Sequence, residues 1–314
     1  MSPKSIGITA LGSYVPKKIL TNNELSHLVD TSDEWIYSHT GIKERHLASE
    51  NERCSDLAVE AANDLFSNHA RNKAEIDGIV VSTATPDYVG FPSTACIIQD
   101  KLGLTDIPAF DISAGCTGFI YALEAARGMI LSGTMHKVLV FGSEKLSQVV
   151  NWEDRNTCVL FGDGAGCVLL EETNDNRIID CTLHSEGNGA QALVIQNDSH
   201  TITMEGRSVY AFAVRAIGDT IVDLLKRNNL SLEDIDWIVP HQANERIIAA
   251  CAKRYGFNQN TFYMNIERYA NTSAASIPIA LKEMDEANLL KKGQKIILVG
   301  FGAGLTYGGT LIQW

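Results

Sequence analysis

Three residues whose types could carry nucleophilic chemistry stand in this chain, each within or beside a run of small residues. The first is Cys116, in Ala114-Gly115-Cys116-Thr117-Gly118-Phe119. A short apolar strand precedes it. A helical pattern follows, with Ala122, Leu123, Ala125, Ala126, Met129 and Ile130 at three- and four-residue spacing. Cys116 is thereby placed in the first helical turn, where unpaired N–H groups and the helix dipole favour a thiolate and a lowered thiol pKa. Gly115 and Gly118 let a carbonyl approach the backbone closely. A buried, inert cysteine is the alternative reading. The second group is His241, in His241-Gln242-Ala243-Asn244, directly after an apolar strand. Ligands bind at such strand ends in open parallel sheets, although a lone histidine can equally be structural. The third is Asn271, in Asn271-Thr272-Ser273-Ala274-Ala275-Ser276.

The elements that must position these groups come from an internal repeat. Glu75-Ile76-Asp77-Gly78-Ile79-Val80 returns as Asp234-Ile235-Asp236-Trp237-Ile238-Val239, an offset of 159 residues from Asp77 to Asp236. Ala122-Leu123 matches Ala280-Leu281, and His136–Gly142 matches Gln294–Gly300, both offset by 158. A duplicated α/β unit follows, with halves at 1–172, carrying Cys116, and 173–314, carrying His241 and Asn271. The same offset takes Cys116 to Ala274, so the second half repeats the small-residue turn with Asn271 in place of a thiol. A pseudo-twofold arrangement brings the two turns face to face. Strands over 79–82, 138–141, 238–240 and 296–299 alternate with helical patterns, which predicts parallel strands with crossover helices. Amphipathic helices are expected over 208–229 and 244–255. The polar stretch 174–206 reads as loops joining the halves. The runs Phe161-Gly162-Asp163-Gly164-Ala165-Gly166 and Gly300-Phe301-Gly302-Ala303-Gly304 lack the spacing of nucleotide loops and suit tight turns around an oxyanion hole.

Bulk properties set the boundaries. A chain of 314 residues with 45% hydrophobic content can bury a large core in one or two domains. Neither an 18-residue apolar run nor a signal-peptide pattern is present, which predicts no membrane partner. The seven cysteines form no Cys-x-x-Cys pair, so a metal site or disulfide framework is not expected and a reducing cytoplasm is. With 26 basic and 38 acidic residues the net charge is −12, a poor surface for nucleic acid.

Taken together, the motifs around Cys116, His241, Asn271 and Gly300–Gly304 resemble those of the β-ketoacyl-acyl-carrier-protein synthase III family of the thiolase superfamily, over essentially the whole chain. The resemblance implies a five-layered αβαβα fold of two duplicated halves, a homodimer, and a Cys116-His241-Asn271 catalytic set working without a cofactor. Acyl-CoA would acylate Cys116, with the Cys116 and Ala303 N–H groups holding the oxyanion. Malonyl-acyl-carrier protein would then lose CO2, its thioester oxygen held by His241 Nε2–H and the Asn271 amide, and attack the acyl group. By the same resemblance Phe301 would line the pocket, Asn244 would support it, and Phe91 would close the neighbouring protomer's acyl pocket. Trp35 and Arg155 would sandwich the CoA adenine. Arg246, Lys253 and Arg254 would form a basic face for the carrier protein. His39 stands where the family often has an arginine near CoA, and Ala211 where it has a lysine on the carrier-protein surface. A synthase or acyltransferase of secondary metabolism is the nearest rival reading. A biosynthetic thiolase lacks support because the C-terminal glycine-rich run has no second cysteine. A papain-like hydrolase does not fit the duplicated halves, and a non-catalytic partner subunit does not fit the complete catalytic set.

Overall fold

The computed structural model describes residues 5–314. Two sheets form its frame. The first comprises Ile6–Tyr14 (β1), Gly78–Ser82 (β2), Ala109–Ile112 (β3), Lys137–Glu144 (β4) and Gly164–Glu172 (β5), in the spatial order β1-β5-β4-β2-β3. The second comprises Arg177–Ser185 (β6), Trp237–Pro240 (β7), Lys295–Gly302 (β8) and Thr306–Gln313 (β9), in the order β7-β8-β9-β6. The duplication is visible in register: Ile79 of β2 pairs with Leu139 of β4, and Ile238 of β7 with Ile297 of β8. The second counterpart of β3 shrinks to a single parallel bridge between Ile238 and Phe262.

The strands are parallel only at the centre. β2 runs parallel to β3 and β4, and β7 to β8, whereas β5 and β9 are antiparallel to both of their neighbours. The expectation of parallel strands fails there for a geometric reason. Only residues 303–305 separate β8 from β9, and a connection that short can only fold back as a hairpin.

Seven helices carry the argument: Asp33–Thr40 (α1), Cys54–Asn68 (α2), Thr94–Lys101 (α3), Gly118–Ser132 (α4), Gly206–Arg227 (α5), Glu245–Tyr255 (α6) and Ser276–Glu286 (α7). α2 and α3 cover the outer face of the first sheet, α5 and α6 that of the second, and α4 and α7 lie between the sheets. The result is the five-layered αβαβα order. α4 buries Phe119, Ile120, Ala122, Leu123, Ala126 and Ile130, because a helix in the middle layer meets a sheet on both sides. The stretch 174–206 is not all loop. It holds β6 and a hairpin of Leu193–Ile195 with Ile202–Met204. Among the described residues, no helix is long and apolar enough to cross a membrane.

Candidate active site

The middle layer decides where the chemistry sits. Cys116 occupies a short 3-10 turn, Gly115–Thr117, from which α4 departs, and Ser273–Ala275 forms the matching turn before α7. Close packing holds the cysteine. A Cβ on Gly302 would lie 2.8 Å from Cys116 Cβ and 2.9 Å from its backbone nitrogen, so only glycine lets β8 pass there. Gly115 has φ +52°, and a Cβ on it would reach the Ala303 nitrogen at 3.2 Å. The Thr306 hydroxyl stitches the loop to this turn, with the carbonyl oxygens of Ala114 at 3.0 Å and Ala303 at 2.9 Å.

His241 follows β7, its N–H donating to the Val299 carbonyl at 2.8 Å. Its Nδ1 lies 2.7 Å from Ser276 Oγ, and that hydroxyl donates to the Ser273 carbonyl at 2.8 Å. A hydroxyl has one proton. With that proton on Ser273, Nδ1 is the donor and Nε2 carries the lone pair, an assignment drawn from the network. Burial pushes the imidazole down to about 3, so the ring is neutral at physiological pH. Asn271 accepts from the Ser273 N–H through Oδ1 at 2.9 Å, leaving its Nδ2 group as the available donor.

The thiol contradicts one expectation. Burial pushes Cys116 up to about 12, with a smaller upward push from the Glu144 charge, while a hydrogen bond from Ser273 works in the opposite direction. Desolvation of the thiolate outweighs the helix terminus.

Cys116, His241, Asn271 and Phe301 line one cavity of about 240 Å³, which extends to Trp35, His39 and Asn244. The Phe301 ring meets His241 edge-on at 5.1 Å. A second cavity of about 60 Å³ adjoins Cys116, lined by Ala84, Leu146, Phe161, Leu193, Ile195, Ile202, Ser273 and Ala303. Leu193, Ile195 and Ile202 were hidden in the stretch read as loops. Nothing in their local pattern marks them, since the hairpin is only three residues deep on each side.

The remaining predicted residues fall in distinct places. Arg155 lies over the Trp35 ring at 4.6 Å, and His39 stacks on Trp35 at 4.4 Å. A ring inserted between Trp35 and Arg155 needs about 7 Å, two contacts of about 3.5 Å, so the slot is closed and Arg155 must swing to open it. Asn244 caps α6, accepting from the Arg246 N–H at 2.8 Å and donating to the His39 carbonyl at 3.1 Å. It therefore braces the cavity wall. Arg246, Lys253 and Arg254 are all exposed on α6, and no described residue pairs with them in an ion pair. Ala211 is exposed on α5. Phe91 does not reach the cavity of its own chain and is 90% exposed.

A cysteine at the start of one central helix, faced by a histidine and an asparagine from a duplicated second half, places the molecule among thiolase-fold proteins. Family models for 3-oxoacyl-[acyl-carrier-protein] synthase III match residues 110–187, and for its C-terminal region residues 225–314. The β-ketoacyl-[acyl-carrier-protein] synthase III of Clostridium novyi is 48% identical, with 99% of each chain covered. The crystal structure of 3-oxoacyl-[acyl-carrier-protein] synthase III from Aquifex aeolicus superposes with a TM-score of 0.95 at 42% identity, covering 98% of this chain and 100% of that one. The priming β-ketosynthase of the R1128 polyketide pathway superposes at 0.91 with 30% identity, covering 99% of this chain and 98% of that one. The chain belongs to the β-ketoacyl-acyl-carrier-protein synthase III family.

Proposed function

We propose that this protein condenses a short acyl-CoA, acetyl-CoA above all, with malonyl-acyl-carrier protein, releasing CO2 and CoA and starting a fatty acid chain. The observation that carries the reading is the meeting of Cys116, His241 and Asn271 on one cavity, with a small apolar cavity adjoining the same cysteine. Cys116 Sγ attacks the thioester carbonyl, and its own N–H and that of Ala303 receive the developing oxyanion. CoA leaves as a thiol. The acyl group, bonded to Sγ, has the apolar cavity of about 60 Å³ to occupy, which suits a short chain.

Malonyl-acyl-carrier protein then loses CO2, and negative charge grows on its thioester oxygen. Asn271 Nδ2 is the fixed donor to that oxygen. His241 becomes a donor when its proton moves from Nδ1 to Nε2 and the Ser276 hydroxyl turns from the Ser273 carbonyl to Nδ1. That exchange gives up one hydrogen bond, about 0.5–1.5 kcal/mol. A neutral ring serves better here than a cation, because a cation would bind the malonyl carboxylate and hold back its departure as CO2. The carbanion attacks the acyl carbon, the C–S bond breaks, and Cys116 is free again.

Trp35 lines the larger cavity with Arg155 over its ring, and an opened slot there fits the adenine of CoA. The unpaired cations of α6 give an otherwise acidic protein a basic face for the acidic carrier protein. Tyr88, Val89 and Phe91 are exposed together, which fits a homodimer in which Phe91 reaches the partner's acyl pocket. Seven free cysteines fit a cytoplasmic location, and no step calls for a resident cofactor or metal. Incubation with acetyl-CoA and malonyl-acyl-carrier protein should yield one acetoacetyl-carrier protein per CO2. Hydrolysis of acetyl-CoA without condensation would refute the reading, and preference for longer starters would move it toward secondary metabolism.

A further inference from the structure

Asn271, the fixed donor of the proposed condensation, stands on backbone that does not hold itself. Ala270, just before it, ends the short helix Ile266–Tyr269 with φ +56° and ψ −158°, a combination open to glycine and rarely adopted by residues with a Cβ. Ser273, two residues after Asn271, has φ +50°. Ala270 and Ser273 are both buried. Residues other than glycine persist in such conformations only where the surroundings dictate them. Here the surroundings are one stretch of chain, 159–163. The Asn271 N–H donates to the Leu160 carbonyl at 2.9 Å, and the Gly162 N–H donates to the Asn271 carbonyl at 3.0 Å, which makes a parallel bridge between Phe161 and Asn271. Gly162 lets the chains come this close, since a Cβ on it would lie 2.8 Å from the Tyr269 carbonyl oxygen and 3.2 Å from Arg45 Cβ.

The stretch 159–163 is fixed in turn by the strand Glu44–Leu47 and the residues that follow it. At one end the Asp163 N–H donates to the His46 carbonyl at 2.9 Å, and the Asp163 carboxyl accepts from the Ala48 and Ser147 N–H groups, each at 2.8 Å. Arg45 holds the other end. Its Nη2 donates to the Val159 carbonyl at 3.0 Å, and its Nη1 to the Leu20 carbonyl at 3.1 Å. Arg45 is fully buried, and its Nε has no acceptor. It forms no ion pair among the described residues. Burial pulls the guanidinium down to about 10, so it keeps its charge at neutral pH. A buried cation without a paired carboxylate costs stability, which makes its hold on two backbone carbonyls the feature to explain.

We infer that Arg45 is a positioning residue for decarboxylation: by holding the Val159 carbonyl it keeps 159–163 in place, and through the bridge it holds Asn271 against the strain on either side. The inference rests on the proposed donor role of Asn271 and adds what keeps that donor aimed. Releasing Val159 lets the bridge shift, Ala270 and Ser273 relax toward ordinary backbone, and Asn271 Nδ2 leaves the place where charge develops. A misplacement of about 1 Å at such a group costs about 10²-fold in rate. Cys116 is held by other means, by the backbone of β8 and the Thr306 hydroxyl. Phe161, inside the bridge, lines both cavities, so acetyl uptake is touched as well, but less.

The test follows single-turnover CO2 release from malonyl-acyl-carrier protein on pre-acetylated enzyme, beside acetyl uptake from acetyl-CoA. Arg45→Lys keeps the charge and the stem, but its ammonium ends one bond short of the two carbonyls. It should slow CO2 release about 10-fold or more, with only a few-fold change in acetyl uptake. In an Asn271→Ala background the same substitution should add almost no further loss, because the donor it positions is gone. Ala270→Gly, which removes the strain, should raise the melting temperature by about 2–4 °C and recover much of the CO2 release in the Arg45→Lys enzyme. Gly162→Ala disturbs the bridge with Arg45 intact; it should show the same split and carries the test if Arg45→Lys does not fold. A purely structural role would lower the melting temperature and slow both reactions alike in either background, which overturns the inference. So does an Arg45→Lys loss that adds fully to that of Asn271→Ala, or an Ala270→Gly substitution that recovers nothing. Wild-type CO2 release from Asn271→Ala alone would instead sink the functional reading of that residue.

Discussion

Replacing Gly302 by alanine tests whether the position of the nucleophile is set by the backbone of β8. The new Cβ would sit 2.8 Å from Cys116 Cβ and 2.9 Å from Cys116 N, both on a turn that cannot rotate out of the way. Ordinary contact between such atoms is about 3.5–4.0 Å, so the turn and the strand must part by close to 1 Å. A displacement of that size at a reacting atom costs about 10²-fold in rate, or about 2.7 kcal/mol of barrier. Overpacking should also cost about 1–3 kcal/mol of stability. The assay is the acetylation rate of Cys116 by intact mass, paired with thermal melting. Gly128→Ala is the control, since nothing lies within 4 Å of its Cβ position and it sits inside α4. It should leave acylation alone and stabilise the protein by about 0.5–1 kcal/mol. A Gly302→Ala enzyme that acylates at the wild-type rate would refute the claim that this contact fixes the sulfur.

Other outcomes follow from the same geometry. Asn271→Ala removes the fixed donor, so CO2 release should fall about 10²–10³-fold while acetyl uptake from acetyl-CoA persists; equal loss of both would mean that Asn271 mainly holds the Ser273 turn. Nitrogen NMR of the free enzyme should show His241 protonated on Nδ1 and bare on Nε2, and the reverse would show that Ser276 does not set the tautomer. Arg246→Ala should raise the KM for malonyl-carrier protein several-fold with little effect on acetyl-CoA, and added salt should imitate it. Glu144→Gln also makes a stability prediction. The folded protein holds the Glu144 proton up to about pH 7, against about 4.5 for the unfolded chain, so this group lowers stability as pH rises through that window. The variant should therefore gain melting temperature relative to wild type at pH 8 more than at pH 5.

Much of the fold was legible because the two halves repeat it. The offset between Asp77 and Asp236 predicted matching strands, and Ile79–Leu139 and Ile238–Ile297 pair in the same register. Cys116, His241 and Asn271 were legible for a related reason, since each stands at a strand end or helix start within small residues. Other features depend on tertiary surroundings that no local pattern carries. The Gly300–Gly304 run read as a tight turn, but the antiparallel strand β9 that follows it was not foreseen. Strand β6 was missed because it is polar along much of its length at the sheet's edge. The raised thiol and the depressed imidazole come from burial between two sheets, which a helix-start argument cannot weigh. Glu144 gave no signal at all: it ends an ordinary apolar strand, and only the fold brings it to the Thr83 and Thr85 hydroxyls and the Ala84 N–H.

The central claim is that Cys116 carries the acyl group that condensation consumes. Its most direct test is a single turnover followed by peptide mass spectrometry, with stoichiometric acetyl-CoA first and malonyl-acyl-carrier protein second. The account predicts one acetyl group on the Cys116 peptide after the first addition, and its complete transfer to carrier protein with one CO2 after the second. Acetyl on Cys54 or Cys158, or loss of acetyl to water before malonyl-carrier protein is added, would contradict it.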